Sequence, residues 1–239
     1  MSEVIRRGFV PTDIIEFNEE SISLLHQAQK DISYLIDHGY ELERSVTFVC
    51  NRFGLSKRQR MALTRSTSKE CDIRQRLACE ITDDLEGKTI YIDGFNLIIP
   101  LEIALSGSTL LLCMDGTIRD LAGLHGTYRL IDKTSSAISL INKQLSLMKI
   151  AKAVFYFDAP VSNSGKIKSY ILDQAQYFPF TTEVHVIHNV DQTLYDKEIV
   201  ASSDAIILNN CKSWVNLSRL IIRSSFPDYP FVDLRGYKI

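Results

Sequence analysis

The chain of 239 residues carries five cysteines, an odd number, and none forms a Cys-x-x-Cys pair. An odd count argues against a closed disulfide framework, and the missing pairs argue against a zinc knuckle; both fit a reducing compartment. No basic stretch precedes an apolar one at the start, and no uninterrupted apolar run reaches ~18 residues. The expectation is therefore a cytosolic protein without a membrane partner. Charge of one sign is also lacking: 27 Lys and Arg against 29 Asp and Glu leave a formal net charge of −2, so no global nucleic-acid signal is present. There is no internal repeat and no low-complexity tract. Ser164-Gly165-Lys166 lacks the upstream Gly and the following Ser or Thr of a phosphate-binding loop. Asp115-Gly116-Thr117 sits where a phosphatase would have it, but Cys113 occupies the place of the aspartyl nucleophile. His26, His38, His125, His185 and His188 show no ligand spacing, and the single Trp214 is expected in the core.

What is present is an ordinary globular composition, 45% hydrophobic and 23% charged, enough to build a sizeable core without staples. The charge hides a local asymmetry. Between Arg44 and Arg76 nine Lys or Arg stand against two acids, a local excess of seven. The first 86 residues read as helical. Asn18 can cap a helix whose apolar stripe runs Leu25, Ala28, Ile32, Leu35 and Ile36. Leu42, Val46, Val49 and Phe53 give a second helix stopped by Gly54, and Ser56 can cap a third running to about Arg65. Helix, Gly-containing turn and helix together resemble a helix-turn-helix, with Lys57, Arg58 and Arg60, and beyond them Arg65, positioned to meet phosphates. A solvated charged face is the competing reading. No aromatic platform interleaves the charges, so base-specific readout is not expected.

From Thr89 the pattern changes to alternating strands and helices, the sign of a parallel sheet with helical crossovers. Thr89–Asp93 is an apolar β-type run ending in an acid, followed by Gly94, which lets the backbone turn, and by Asn96. Ala153–Phe157 ends in Asp158, and Ile199–Ser203 ends in Asp204. Thr134 can cap a helix before the second run, and Ser162 or Ser164 one after it. A strand over 183–187 and a helix over 211–223 follow, and the tail at 231–234 adds an edge strand. Leu110–Ile118 reads as a hairpin turning on Asp115-Gly116, with Arg119 placed to clamp a phosphate or to form an ion pair.

Ligands bind beyond the carboxyl ends of parallel strands, and adjacent strand ends lie ~5 Å apart, so three strand-end acids can converge. Hard carboxylate oxygens are the donors that Mg²⁺ prefers; such an ion lowers the pKa of a bound water and neutralises a leaving oxygen. Asp93, Asp158 and Asp204 are the candidate metal and catalytic acids, with Asp191 or Asp196 as a fourth. Asn96 is the candidate for orienting water or phosphate, and Ser203 for anion contact before a helix start. The bland reading is that Asp is a common strand terminator and helix cap.

Ile92-Asp93-Gly94-Phe95-Asn96-Leu97-Ile98, Val154–Ala159 and Val200–Asp204 resemble the PIN-like nuclease superfamily, nearest its NYN branch. The whole chain also resembles the DUF434 proteins, through Asp37-His38-Gly39-Tyr40, Asn51–Leu55, Gln59-Arg60 and Ser162–Gly165. The resemblance implies a three-layer α/β fold with a PIN-like, Rossmann-like parallel sheet over 87–239, preceded by a small all-helical domain over 1–86. It further implies Mg²⁺ or Mn²⁺ as cofactor, RNA as partner and cleavage at the Asp cluster. Where NYN-type sequences place an Ala-Asp-Asp run, this chain reads Val190-Asp191-Gln192-Thr193-Leu194-Tyr195-Asp196. The alternative is accordingly a degenerate PIN-like module that binds RNA or protein without cutting. Homo-oligomerisation is left open.

Overall fold

The computed structural model describes residues 5–123 and 126–236. Five helices come first: α1 (Asp13–Glu16), α2 (Glu19–Asp37), α3 (Leu42–Phe53), α4 (Lys57–Ser66) and α5 (Glu70–Cys79). The mixed part runs β1 (Thr89–Asp93), α6 (Gly94–Leu105), β2 (Leu110–Leu112), β3 (Ile118–Asp120), α7 (Thr134–Leu147), β4 (Lys152–Asp158), α8 (Ser164–Ala175) and β5 (Thr181–Ile187). It closes with α9 (Val190–Tyr195), β6 (Val200–Ala201), α10 (Ala205–Asn210), α11 (Leu217–Ser225) and β7 (Val232–Asp233). Among the described residues no helix is long and apolar enough to cross a membrane.

The helix starts follow from side-chain chemistry. Asn18 Oδ1 accepts the Ser21 N–H at 2.8 Å. Ser56 and Gln59 close a reciprocal capping box at the start of α4. Leu25, Ala28, Ile32 and Ile36 form the buried stripe of α2, each large one worth about 1.5–3 kcal/mol of burial. That stripe does not close a separate helical core. It packs with Leu111, Cys113 and Leu121 of the β2–β3 hairpin and with Val232 and Leu234 around β7. The expected line at residue 86 is a change of texture that the packing crosses.

Four parallel strands form the main sheet in the order β5-β4-β1-β6. Ile90, Ile92, Ala153 and Phe155 face one layer with Leu97, Ile141 and Ile167. Tyr91, Val154, Tyr156 and Val200 face the other with Val190, Ile207 and Trp214. The chain starts at β1, steps outward to β4 and β5, then crosses back to place β6 on the free side of β1. That reversal opens a crevice at the carboxyl ends of β1 and β6, where open α/β sheets bind ligands. Gly94 opens α6 there for a packing reason, not a turn: an added Cβ would stand 2.2 Å from Phe157 Cε1.

Three local expectations are corrected. The segment 213–215 is extended, because Val200 N–H bonds Ser213 O and Trp214 bridges both Val200 and Glu80; the last long helix therefore begins at Leu217, not near 211. The hairpin turns through three residues: Gly116 N–H bonds Cys113 O and Gly116 takes φ +76, so Met114-Asp115 are the central pair. Thr134 is the first residue of α7 and its hydroxyl goes to the buried Glu102 carboxylate, while Lys133 occupies the cap position.

Candidate functional site

Asp93 ends β1 at the switch point and is 3% exposed. Its Oδ2 accepts hydrogen bonds from Asn96 Nδ2 at 2.7 Å and Ser202 Oγ at 2.8 Å. Burial pushes its carboxyl up to about 7, against those two bonds, and the nearby Asp204 and Asp158 carboxylates push the same way. Asp158 ends β4 and is also raised, chiefly by burial, with the Asp158 and Val190 N–H groups opposing. Asp191 lies in the first turn of α9, not in a loop, and is raised by burial and then by Asp204 and Asp158. Asp93 and Asp191 thus each feel the Asp204 and Asp158 carboxylates. Even so, among the described residues no group of three or more His, Cys, Asp or Glu is arranged to hold a metal ion.

Asp204 shows why. Strand β6 ends at Ala201, since Ser202 Oγ accepts the Asp204 N–H at 3.0 Å and turns the chain. Asp204 then caps α10, its Oδ1 taking Ile206 N–H at 2.7 Å and Ile207 N–H at 3.2 Å. One of its oxygens, Oδ1, does the structural work that the bland reading assigns to Asp. Asp196 is exposed at the end of α9.

The crevice is walled by the helical segment. A cavity of about 340 Å³ is bordered by Arg65, Ser68, Lys69 and Arg76 on one side and by Asn96, Ser203 and Asp204 on the other. A second hollow of about 220 Å³ continues past Arg65 and Asn96 to Asp158. Beneath the first lies Asp115, which sequence reasoning placed in an ordinary turn. It is 1% exposed, and its Oδ2 accepts from Arg76 Nη1 at 2.6 Å and Arg119 Nη2 at 2.8 Å. Its Oδ1 takes the Thr117 hydroxyl at 2.6 Å. Burial alone would raise this carboxyl, but Arg119, Thr117 and Arg76 together hold it below the usual range. Arg119 Nε also donates to Ser203 O at 2.8 Å, and its Nη1 donates to Arg65 O. Burial pushes the neighbouring Cys113 thiol up to about 12, which leaves no thiolate there.

The expected phosphate contacts therefore divide. Arg58 is a correction: its guanidinium is forked onto Asp13 at 2.8 and 2.7 Å and donates to Leu121 O, with 13% of the side chain exposed. Arg60 is spent on Leu55 O and Asn51 Oδ1. Arg119 is a buried structural cation, not a free clamp. Ser203 lines the cavity but is buried, with its carbonyl held by Arg119. Lys57 projects from the start of α4 into solvent. Arg65, paired with Asp120 at 3.3 Å, and Lys69 are the cations that face the acids. His185 stacks on Tyr156 with ring centroids 5.3 Å apart, His26 bonds Asp233 O and His38 bonds Tyr34 O; His125 lies outside the described residues. Trp214 is fully buried, and its N–H donates to Arg76 O at 2.7 Å.

Residues 82–220 match a family model described as domain of unknown function DUF5616. The chain belongs to the DUF5616 family. A second model, protein of unknown function DUF434, matches residues 24–78, the segment that supplies Arg65, Lys69 and Arg76. Among relatives of this DUF5616 protein is the uncharacterized protein MJ0935 of Methanocaldococcus jannaschii, 37% identical over 187 residues that cover 78% of this chain and 89% of that one. No solved structure matches. The site is thus built from both matched segments: the DUF5616 part contributes the acids, and the DUF434 part contributes the facing cations.

Proposed function

We propose that this protein is a metal-dependent ribonuclease whose residues 82–220 form a PIN-like, NYN-type unit. The observation that carries the reading is the buried Asp93 at the switch point of a parallel sheet, coupled to Asp158 and Asp204 and opened onto a crevice with cations on the far wall.

The donor set fits a hard divalent ion, Mg²⁺ or Mn²⁺. Asp93 Oδ1 and Asp204 Oδ2 are oxygen donors left over from the hydrogen bonds described, the Asp158 carboxylate joins them while accepting from backbone N–H groups, and crowded carboxylates are what such an ion relieves. Mg²⁺ characteristically uses one or two carboxylates, several waters and substrate phosphate, so a site without three protein ligands in place suits it. When bound, the ion would lower the pKa of an attacking water and neutralise the leaving oxygen. The chain does the positioning. Asn96 and Ser202 fix the plane of the Asp93 carboxylate. Arg119 holds the Ser203 carbonyl, and so the turn into α10. Arg65 and Lys69 would take a phosphate across from the acids, giving binding that tracks the backbone and not the bases.

The test is cleavage of a labelled single-stranded RNA with Mg²⁺ or Mn²⁺, beside Asp93→Asn and Asp204→Asn. Cleavage lost in both variants supports the nuclease. The capping role of Asp204 favours a second reading, a degenerate module that binds RNA without cutting. Undiminished RNA binding with no cleavage, and no Mn²⁺ heat in calorimetry that Asp93→Asn abolishes, would establish that one instead.

A further inference from the structure

On the other side of the hairpin turn lies a cavity that the acidic crevice does not use. It has a volume of about 580 Å³ and is bordered by Glu80 and Thr82 before β1 and by Asn216, Arg219, Arg223 and Ser224 of α11. That volume lies within the usual range for small-molecule sites. Arg219 and Arg223 stand one turn apart, where like charges repel. Among the described residues neither side chain makes a hydrogen bond or an ion pair. Arg235 adds to the field but is held by Asp233. The opposing charge is Glu80, which forms no ion pair with either arginine among the described residues and is itself pushed toward its neutral form by burial. Arg219 sits below its usual range, first through burial and then through Arg223.

The cavity is also held in shape. Asn216 spends its amide on Gly116 O at 3.0 Å instead of capping α11. Gly116 takes φ +76, and Arg219 Nη1 lies 2.9 Å from where a Cβ there would stand, so the guanidinium lies close over the turn. Two guanidinium forks without an ion-pair partner among the described residues make a receptor for a tetrahedral oxyanion. The Thr82 and Ser224 hydroxyls already donate to Asp83 and to Ile221 O, so the arginines supply the donors, and Glu80 shares the wall without pairing either.

We infer that this cavity is a second anion site that binds a phosphate ester through Arg219 and Arg223. The inference does not rest on the ribonuclease reading. The phosphate belongs either to a small nucleotide or to a nucleic-acid strand.

Calorimetry on the full chain with inorganic phosphate, adenosine 5′-monophosphate and a single-stranded RNA decamer separates these. Wild type should bind at least one probe, and Arg219→Gln/Arg223→Gln should weaken it about tenfold or more, in line with the loss of charge-assisted bonds. Lys30→Gln, an exposed lysine of α2 that borders neither cavity, should leave monophosphate binding intact. Equal affinity for monophosphate and decamer assigns a small nucleotide; a decamer bound far more tightly assigns a strand. Because Arg219 is half-buried, the exposed Arg223→Gln is measured alone as well and should lose several-fold while melting like wild type. Binding of every probe unchanged in both variants, or no binding by wild type, overturns the site.

Discussion

Replacing Asp93 with Asn should change how the protein's stability depends on pH. The carboxyl is buried and stands at about 7 in the fold against an ordinary 3.8. At about 1.4 kcal/mol per pH unit, this is a penalty of up to about 4 kcal/mol for ionising Asp93 in the folded chain. The folded state binds the proton more tightly than the unfolded one. Its contribution is therefore complete below about pH 4 and is lost as pH rises through about 7. Asn has nearly the same shape, can accept from Ser202 and Asn96, and does not titrate. Urea unfolding of both proteins in chelator, from about pH 4.5 to about pH 8, reads this group together with its coupling to Asp158 and Asp204, since titrations away from the cluster cancel in the difference. The variant should gain on wild type by about 1 kcal/mol or more per pH unit up to neutrality, then run parallel. A difference constant to within about 0.5 kcal/mol across the range would refute the account of Asp93 as a buried, charge-crowded acid.

Asp115→Asn should cost about 3–5 kcal/mol by leaving Arg76 and Arg119 buried with too little counter-charge, read as a fall in the urea midpoint. Gly94→Ala should cost about 1–3 kcal/mol or more, and a smaller side chain at Phe157 should recover part of it in a double-mutant cycle; no coupling between the two would remove the packing account. Arg58→Gln should lower stability yet leave RNA affinity unchanged, because its fork belongs to Asp13. Arg65→Gln should weaken RNA binding at all sequences and reduce the salt slope by about 1, and the reverse pattern would exchange their roles.

What the sequence made legible was whatever follows from short-range rules. Asn18 and Ser56 cap the helices their residue types suit, the tail pairs as β7, and apolar runs ending in acids became β1 and β4 with Asp93 and Asp158 at their ends. What stayed hidden depends on partners that no period encodes. Arg58 reads as a phosphate-facing cation until Asp13, 45 positions away, is found in its fork. Gly94 reads as a turn until Phe157 is seen above it. Asp115 reads as a turn acid, though an Arg four residues on, at 119, was a usable signal for an internal pair; Arg76, 39 residues before it, was not. The crevice followed from strand order, which a list of strands does not contain.

The buried charges also explain how two separately matched segments make one site. An ion pair inside a protein adds little net stability over a hydrophobic replacement, but it fixes geometry, because a guanidinium has few acceptable ways to satisfy its donors. Asp115 holds Arg76 from α5 and Arg119 from β3; Arg119 in turn holds the carbonyls of Arg65 and Ser203. The end of α4, which carries the cation facing the acids, and the turn that carries Asp204 are thereby referred to one carboxylate. Apolar packing of α2–α4 on the hairpin supplies the adhesion but tolerates small slides, whereas the network does not. Register between the cationic wall and the acidic wall is therefore set by Asp115, a residue that borders neither cavity and would touch no ligand.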